Sequence, residues 1–496
     1  MSNVRLQYSG ILRFAAIIFS LFTGLVFTTL VTRNLSIEEY GQWSALGSLI
    51  VYGTFPALGL GYWFTRYTAR KIHVARTGLV FSFAFSLIGL ILFFVASVVY
   101  LPDFAIIAGA LSFAALQVIT YSIVNSLTTI GNGRNPSIAA YSMIVFETAK
   151  VILVLISVYL TDFNLIEAIM VIVFSQVVQI GVLLILLKNE VVLKSNLKDV
   201  IRIIKTIWIP FYNKFPGVVF ASDVLIISLM TMSFPQIAIF RVAMVFSTII
   251  EYGTQLSYPL YIKLLGGGEK DDVFITTRLL LLFTIPMSVG IFLLSKPLLY
   301  LLNPEYIISE NILQILVLYS VSMVISSIFD NIILGMEKVD VMQEVKHKKL
   351  FFSGLFKLPS INLVRISSYI VGLSFITIFF WSEDMAIEEF GEMWALLLLV
   401  TSIPVAIYKW NISRKIISIR VPWKNIIRFI FASTIMGIIV FYLGQSLSYE
   451  PEITLFFPQL LIIILVAIVV YFGILILIDK ETREMIKNAS KLIPRN

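Results

Sequence analysis

Apolar runs long enough to cross a bilayer recur along the whole chain, each broken by a short polar stretch. They begin near residues 11, 42, 77, 104, 138, 165, 207, 236, 273, 309, 361, 391, 425 and 454. Crossing the hydrocarbon core takes about 20 apolar residues in a helix. The pattern therefore predicts an all-α polytopic membrane protein with about 14 transmembrane helices.

Composition agrees with this pattern: of 496 residues, 59% are hydrophobic and 13% charged, against roughly 25% charged in a soluble domain. The first run, from Ile11, has Arg5 and Arg13 at its head and no small-residue cleavage pattern, so it reads as an uncleaved span. The absence of cysteine excludes disulfides, thiolate catalysis and cysteine metal sites. His73 and His347 lie among cations in polar segments and read as solvated loop residues, neither having a second ligand at metal spacing. No cofactor or metal is expected, and a coupling ion is left open. The net charge of +8 records topology rather than nucleic-acid binding.

Cations cluster in alternate linkers. Arg66, Arg70, Lys71 and Arg76 share one side with Lys188 to Lys205, Lys338 to Lys349, Arg414 to Lys424 and the basic tail. Of the opposite linkers, 101–104, 161–164, 233–236 and 447–454 hold no lysine or arginine, which leaves Arg33 and Lys296 as the main outward or near-outward cations. By the positive-inside rule both termini are expected in the cytoplasm, with the protein in the plasma membrane. The segment TRNLSIEEYGQW, 32–43, is then an outward turn, and Ser36 followed by Glu39 predicts a capping box at the start of the second span. The longest non-spanning piece contains KHKKLFFSGLFKLP, 346–359, which reads as an interfacial helix drawn to anionic headgroups, the alternative being an early start of the next span. Gly266, Gly267 and Gly268 read as a flexible linker.

SIEEYGQWSALG from Ser36 is echoed by SFPQIAIFRVAM from Ser233, and GNGR from Gly131 by GMEK from Gly335. These echoes suggest two pseudo-symmetric lobes of six spans, residues 1–190 and 191–410. Two further spans and a basic tail would occupy 411–496.

A charge in mid-bilayer costs at least about 2.5 kcal/mol. Glu147 and Lys150 stand three apart on the fifth span, so a local ion pair is the simple reading. Lys214 and Asp223 fall on the seventh span, Arg241 and Glu251 on the eighth, and Asp330 near the end of the tenth. About a turn near Met232 and Ser233, Asp223 matches Arg241 in depth and Lys214 matches Glu251. Nine residues separate Lys214 from Asp223, which puts them on opposite faces of an ideal helix unless Pro216 and Gly217 distort it. The expectation is that Asp223 orients Arg241 and that Lys214 or Arg241 lines a hydrated interior. Gln117, Asn125, Gln176 and Gln179 read as interhelical hydrogen-bonding groups.

TRNLSIEEYGQWSALGSLI after the first span resembles the corresponding region of Wzx-type polysaccharide flippases, of the multidrug, oligosaccharidyl-lipid and polysaccharide (MOP) exporter superfamily. ASDVLIISLM followed by QIAIFRVAM resembles that family's seventh span and its entry to the eighth. The resemblance covers about the first 340 residues. It implies two six-helix lobes around a central cavity, and movement of a polyprenyl- or dolichyl-(di)phosphate-linked oligosaccharide from the inner to the outer leaflet by alternating access. Under it Arg241, Lys214 and Lys150 would counter phosphate charge and Arg33 would sit near the outward mouth. The partners implied are the lipid-linked oligosaccharide, membrane lipids, and glycosyltransferases or a polymerase of the same pathway.

Three alternatives stand beside this reading. A multidrug or other small-molecule or lipid exporter of the superfamily would share the bundle, but several of those use an acidic residue in the first span, and Ile11 to Val31 has none. A membrane glycan polymerase or ligase would carry a sizeable outward loop, and this chain has none. A purely structural scaffold leaves the intramembrane charges without a task.

Overall fold

The computed structural model describes residues 3–69, 72–100, 108–193, 208–265, 269–337, 353–382, 384–450 and 452–492. Among them every regular element is a helix. Fourteen helices are long and apolar enough to cross a membrane: Ala15–Asn34, Ile37–Ala69, Ala75–Tyr100, Gly109–Arg134, Ser137–Leu160, Leu165–Leu186, Pro210–Thr231, Pro235–Ser257, Lys270–Leu293, Pro304–Gly335, Gly354–Phe380, Ile387–Ile416, Trp423–Gln445 and Ile453–Ile478, hereafter spans 1 to 14. The chain is an all-α, multi-pass membrane protein. Side chains such as Ile91, Val98, Leu160 and Leu477 point outward from these spans, as a helix in lipid requires once its backbone is satisfied internally.

Contacts divide the chain into two compact units. Unit 1 comprises Met1–Ala238 with Ile370–Glu383, and unit 2 comprises Ile239–Tyr369 with Asp384–Asn496.

In unit 1, span 1 packs on span 5, span 4 on span 6, and span 2 on spans 3, 4 and 7. Close approach is set by glycines: a Cβ at Gly89 of span 3 would lie 1.8 Å from the carbonyl oxygen of Gly53 on span 2. The expected capping box opens span 2. The Ser36 hydroxyl accepts the Glu39 N–H at 3.2 Å while the Glu39 carboxylate accepts the Ser36 N–H at 2.9 Å. Span 2 is not one straight helix, since it breaks after Leu58 and resumes as Gly61–Ala69. Leu60 in the break and Phe64 of that second segment pack with Leu127, Ile130 and Leu183 in a buried cluster. The turn after span 7 places Met232 at φ 52°, a left-handed conformation that ends the helix. Span 7 itself runs as continuous helix through Pro216.

In unit 2, span 10 packs on span 12, span 9 on spans 10 and 13, and span 13 on span 14. Trp394 anchors this core, stacked on Phe240 at 3.8 Å with its indole N–H donating to the Tyr369 hydroxyl at 2.6 Å.

Two local readings of the sequence change. His73 is not simply solvated: its Nδ1 lies 3.2 Å from Oε2 of the buried Glu190, which also pairs with Arg134. The basic head of the expected interfacial helix, 346–352, lies outside the described residues, as do His347 and Gly266 to Gly268. The described remainder, from Gly354, is the start of span 11, as the alternative had it.

Candidate functional site: charges buried within the spans

Unit 1 holds the first group of charges. Lys150 Nζ lies 2.7 Å from Glu147 Oε2, which is the ion pair expected from their spacing. The carboxylate also accepts hydrogen bonds from two side chains of span 1, Ser20 at 2.8 Å and Thr23 at 2.6 Å. The ammonium faces the rings of Phe27 and Phe146 at 5.3 and 5.1 Å. A buried ion pair persists only where its remaining hydrogen-bonding capacity is met, and here two hydroxyls and two aromatic faces meet it. The pair thereby ties span 5 to span 1.

Asp223 on span 7 is fully buried, and its Oδ1 accepts the N–H of Val224 at 2.7 Å. Its neighbour Ser222 is hydrogen-bonded to the hydroxyl of Tyr52 on span 2, which fixes the rotation of span 7 against span 2. Lys214 on the same helix is exposed, beside the exposed Asn213 and Phe215. Arg33 is half-buried at the end of span 1.

Unit 2 holds the second group. Lys409, 2% exposed, places Nζ 2.8 and 3.1 Å from the two carboxylate oxygens of Asp330, joining span 12 to span 10. Glu251, half-buried on span 8, accepts a hydrogen bond from Ser320 of span 10 at 3.0 Å. Arg365 of span 11 is buried, its Nη1 has no hydrogen-bond partner among the described residues, and its charge acts on Glu251, Asp330 and Lys409. Two carboxylates and two cations thus form a balanced set inside the bundle. Around them Asn331 donates to Ser257 at 2.7 Å and Ser402 to Ser322 at 3.0 Å. Arg241 is half-buried on span 8, with Nη1 3.4 Å from the sulfur of Met244.

The structure thus joins Glu147 to Lys150. It places Asp223 and Lys214 in unit 1 and Arg241 and Glu251 in unit 2. Two members of the second group escape a reading by hydropathy. A predicted start at residue 361 puts Arg365 at the head of its span, where a cation is unremarkable, but the helix begins at Gly354 and carries Arg365 well inside. Lys409 stands in IYKWN, close enough to Arg414 and Lys415 to pass for part of the basic end of span 12. Its signal was the aromatic residue on either side.

At the end of span 14, Asp479 is fully buried. It accepts from Arg428 at 2.8 Å, Asn425 at 3.1 Å, Arg278 at 3.2 Å and the N–H of Thr482 at 3.0 Å. It caps the helix Lys480–Leu492 and fastens it to spans 9 and 13. Burial pushes its carboxyl up, but hydrogen bonds from Thr482 and Arg428 and the charge of Arg278 more than offset this and hold it below the ordinary aspartate value.

No protein-family model matches the sequence, and no curated protein does. Solved structures do match in fold. One is the lipid II flippase MurJ in an inward closed conformation, with TM-score 0.60 and 15% identity, over 96% of this chain and 100% of that one. Another is an inward-facing multidrug resistance MATE transporter of the MOP superfamily, with TM-score 0.57 and 12% identity, over 82% of this chain and 98% of that one. A third is a point mutant of the Vibrio cholerae MATE transporter VcmN, with TM-score 0.51 and 15% identity, over 83% of this chain and 98% of that one. The chain has the fold of the MOP-superfamily transporters.

Proposed function

We propose that this protein moves a polyprenyl- or dolichyl-(di)phosphate-linked oligosaccharide from the inner to the outer leaflet of the plasma membrane by alternating access, with both termini cytoplasmic. The observation that carries this reading is the extent of the likeness to MurJ. It takes in 96% of this chain and the whole of a protein named as a lipid II flippase, whereas the two MATE structures take in 82% and 83% of this chain.

The chemistry of the spans supports it. A phosphate and sugar headgroup needs a wet, cationic path while its hydrocarbon tail stays in lipid. Lys214 and Arg241 are the cations this reading assigns to that path. Lys150 is already neutralised by Glu147 and serves structure. The same pair bears on the multidrug alternative: span 1 has no acidic residue, and Glu147, whose carboxylate is bonded to Ser20 and Thr23 of that span, brings its own ammonium.

The test is a leaflet assay in proteoliposomes with a fluorescent, short-chain prenyl diphosphate carrying N-acetylglucosamine, whose outward exposure is read by chemical quenching. The wild-type protein flips the probe, and Arg241→Ala slows flipping at least tenfold at equal protein content. Quenching no faster than in protein-free vesicles overturns the reading, and extrusion of a cationic dye by the same vesicles would install the multidrug alternative.

A further inference from the structure

Span 4 carries a feature that the charges do not account for. At 100° per residue, Gln117, Tyr121, Asn125, Thr128 and Asn132 fall within an arc of about 80° and form one stripe about 22 Å long. Other positions of this helix are engaged by its neighbours. Thr129 and Gly133 pack against the second segment of span 2, with Thr65 donating to the Thr129 carbonyl at 2.9 Å. Ser126 bonds to Ser82 of span 3, and Thr120 to Gln176 of span 6. The stripe runs beside these positions.

Three of its polar atoms are buried without a hydrogen-bond partner among the described residues: Asn125 Nδ2, Thr128 Oγ1 and Asn132 Oδ1. Polar groups on a membrane helix ordinarily serve as glue between helices, but glue has a partner. A buried donor or acceptor left unmade costs about 1–3 kcal/mol. Three on one stripe call for something that completes them. Aromatic groups lie beside it. Tyr121, on the stripe, is 40% exposed. Gly61 of span 2 is so close that a Cβ there would lie 3.3 Å from Asn125 Nδ2, and the next residue, Tyr62, is 39% exposed with the Arg66 guanidinium 4.5 Å over its ring.

We propose that the stripe Gln117–Tyr121–Asn125–Thr128–Asn132 is a subsite for an uncharged polyhydroxylated headgroup, the sugar part of the cargo. This rests on the flippase reading and assigns the glycan to a wall distinct from the cations that meet phosphate. Amides suit it because each offers a donor and an acceptor to neighbouring hydroxyls. Exposed tyrosine rings offer a flat apolar face to a sugar's C–H face. No formal charge lies on the stripe, so it has little purchase on the diphosphate.

The chain has no cysteine, so single cysteines at Tyr121, Asn125 and Thr128 report one position each. In proteoliposomes containing the full chain, a membrane-impermeant thiol reagent labels all three. The prenyl diphosphate-linked N-acetylglucosamine probe slows labelling at least fivefold, and the sugar-free prenyl diphosphate leaves it unchanged. Asn125→Leu raises the half-saturating concentration of the glycolipid at least fivefold and leaves that of the sugar-free lipid unaltered. Absent labelling, or equal protection by both lipids, overturns the subsite. Tyr121→Cys sits at an exposed position and keeps the test decisive if a substitution at Asn125 fails to fold. Wild-type vesicles that do not flip the glycolipid overturn the flippase reading itself, whereas vesicles that flip it without protecting these cysteines overturn the subsite alone.

Discussion

Gly41 on span 2 faces the backbone of Phe234, and a Cβ at Gly41 would lie 2.2 Å from the Phe234 carbonyl oxygen. The two residues belong to the two segments that echo one another in sequence, SIEEYGQW and SFPQIAIF. They are in contact within unit 1.

That contact makes Gly41 intolerant of any side chain. Gly41→Ala forces backbone apart and costs at least the 1–3 kcal/mol of overpacking. Gly24→Ala, where nothing among the described residues lies within 4 Å, serves as the control. Thermal unfolding in detergent shows a lowered midpoint for the first and an unchanged one for the second.

Glu147 and Lys150 stabilise as a pair and not singly. Either Glu147→Gln or Lys150→Met leaves one buried charge without its partner, at about 3–5 kcal/mol. Replacing both with methionine recovers much of the loss. Equal midpoints for the single variants and the wild type would mean that the hydroxyls of Ser20 and Thr23 suffice without the ion pair.

Arg365 balances the carboxylates of unit 2. Arg365→Met leaves Glu251 and Asp330 against the single ammonium of Lys409, and Glu251→Gln in that background restores part of the stability. A double-mutant cycle on the unfolding free energy gives a coupling of about 0.5–3 kcal/mol. Strict additivity would show that Arg365 does not act on Glu251.

Asp479 makes the docking of the helix Lys480–Leu492 sensitive to strong acid only. Its carboxyl sits below the ordinary aspartate value of about 3.9. The charged form therefore stabilises fully above that value, and the contribution is lost as pH falls through the lower folded value. Amide-exchange protection of this helix stays constant between about pH 8 and pH 5 and declines only below about pH 4. Asp479→Asn lowers protection at neutral pH, because the charge that Arg428 and Arg278 bind is gone.

Helix existence was legible because it depends on quantities that add along the chain. Fourteen expected spans became fourteen helices, and Ser36 with Glu39 announced the start of span 2 because capping uses residues three apart. The Glu147–Lys150 pair was legible for the same reason: i,i+3 neighbours meet on any helix. Arg365 and Lys409 were not legible. A hydropathy window finds a span without fixing its ends, and a shift of a few residues carries a cation from the headgroups to the interior.

The all-helical membrane fold, the number of spans and the local caps can be read from the amino-acid order alone, since they follow from hydrophobic length and short-range spacing. It took the packing of the helices to show that Lys409 meets Asp330, that spans 9 and 13 converge on Asp479, and that Asn125, Thr128 and Asn132 keep buried polar atoms without a partner among the described residues. The difference lies in rotation about the helix axis. Every 100° step along a span changes which neighbour a side chain meets. That rotation is fixed by close contacts between distant segments, such as Gly89 against Gly53 and Gly41 against Phe234.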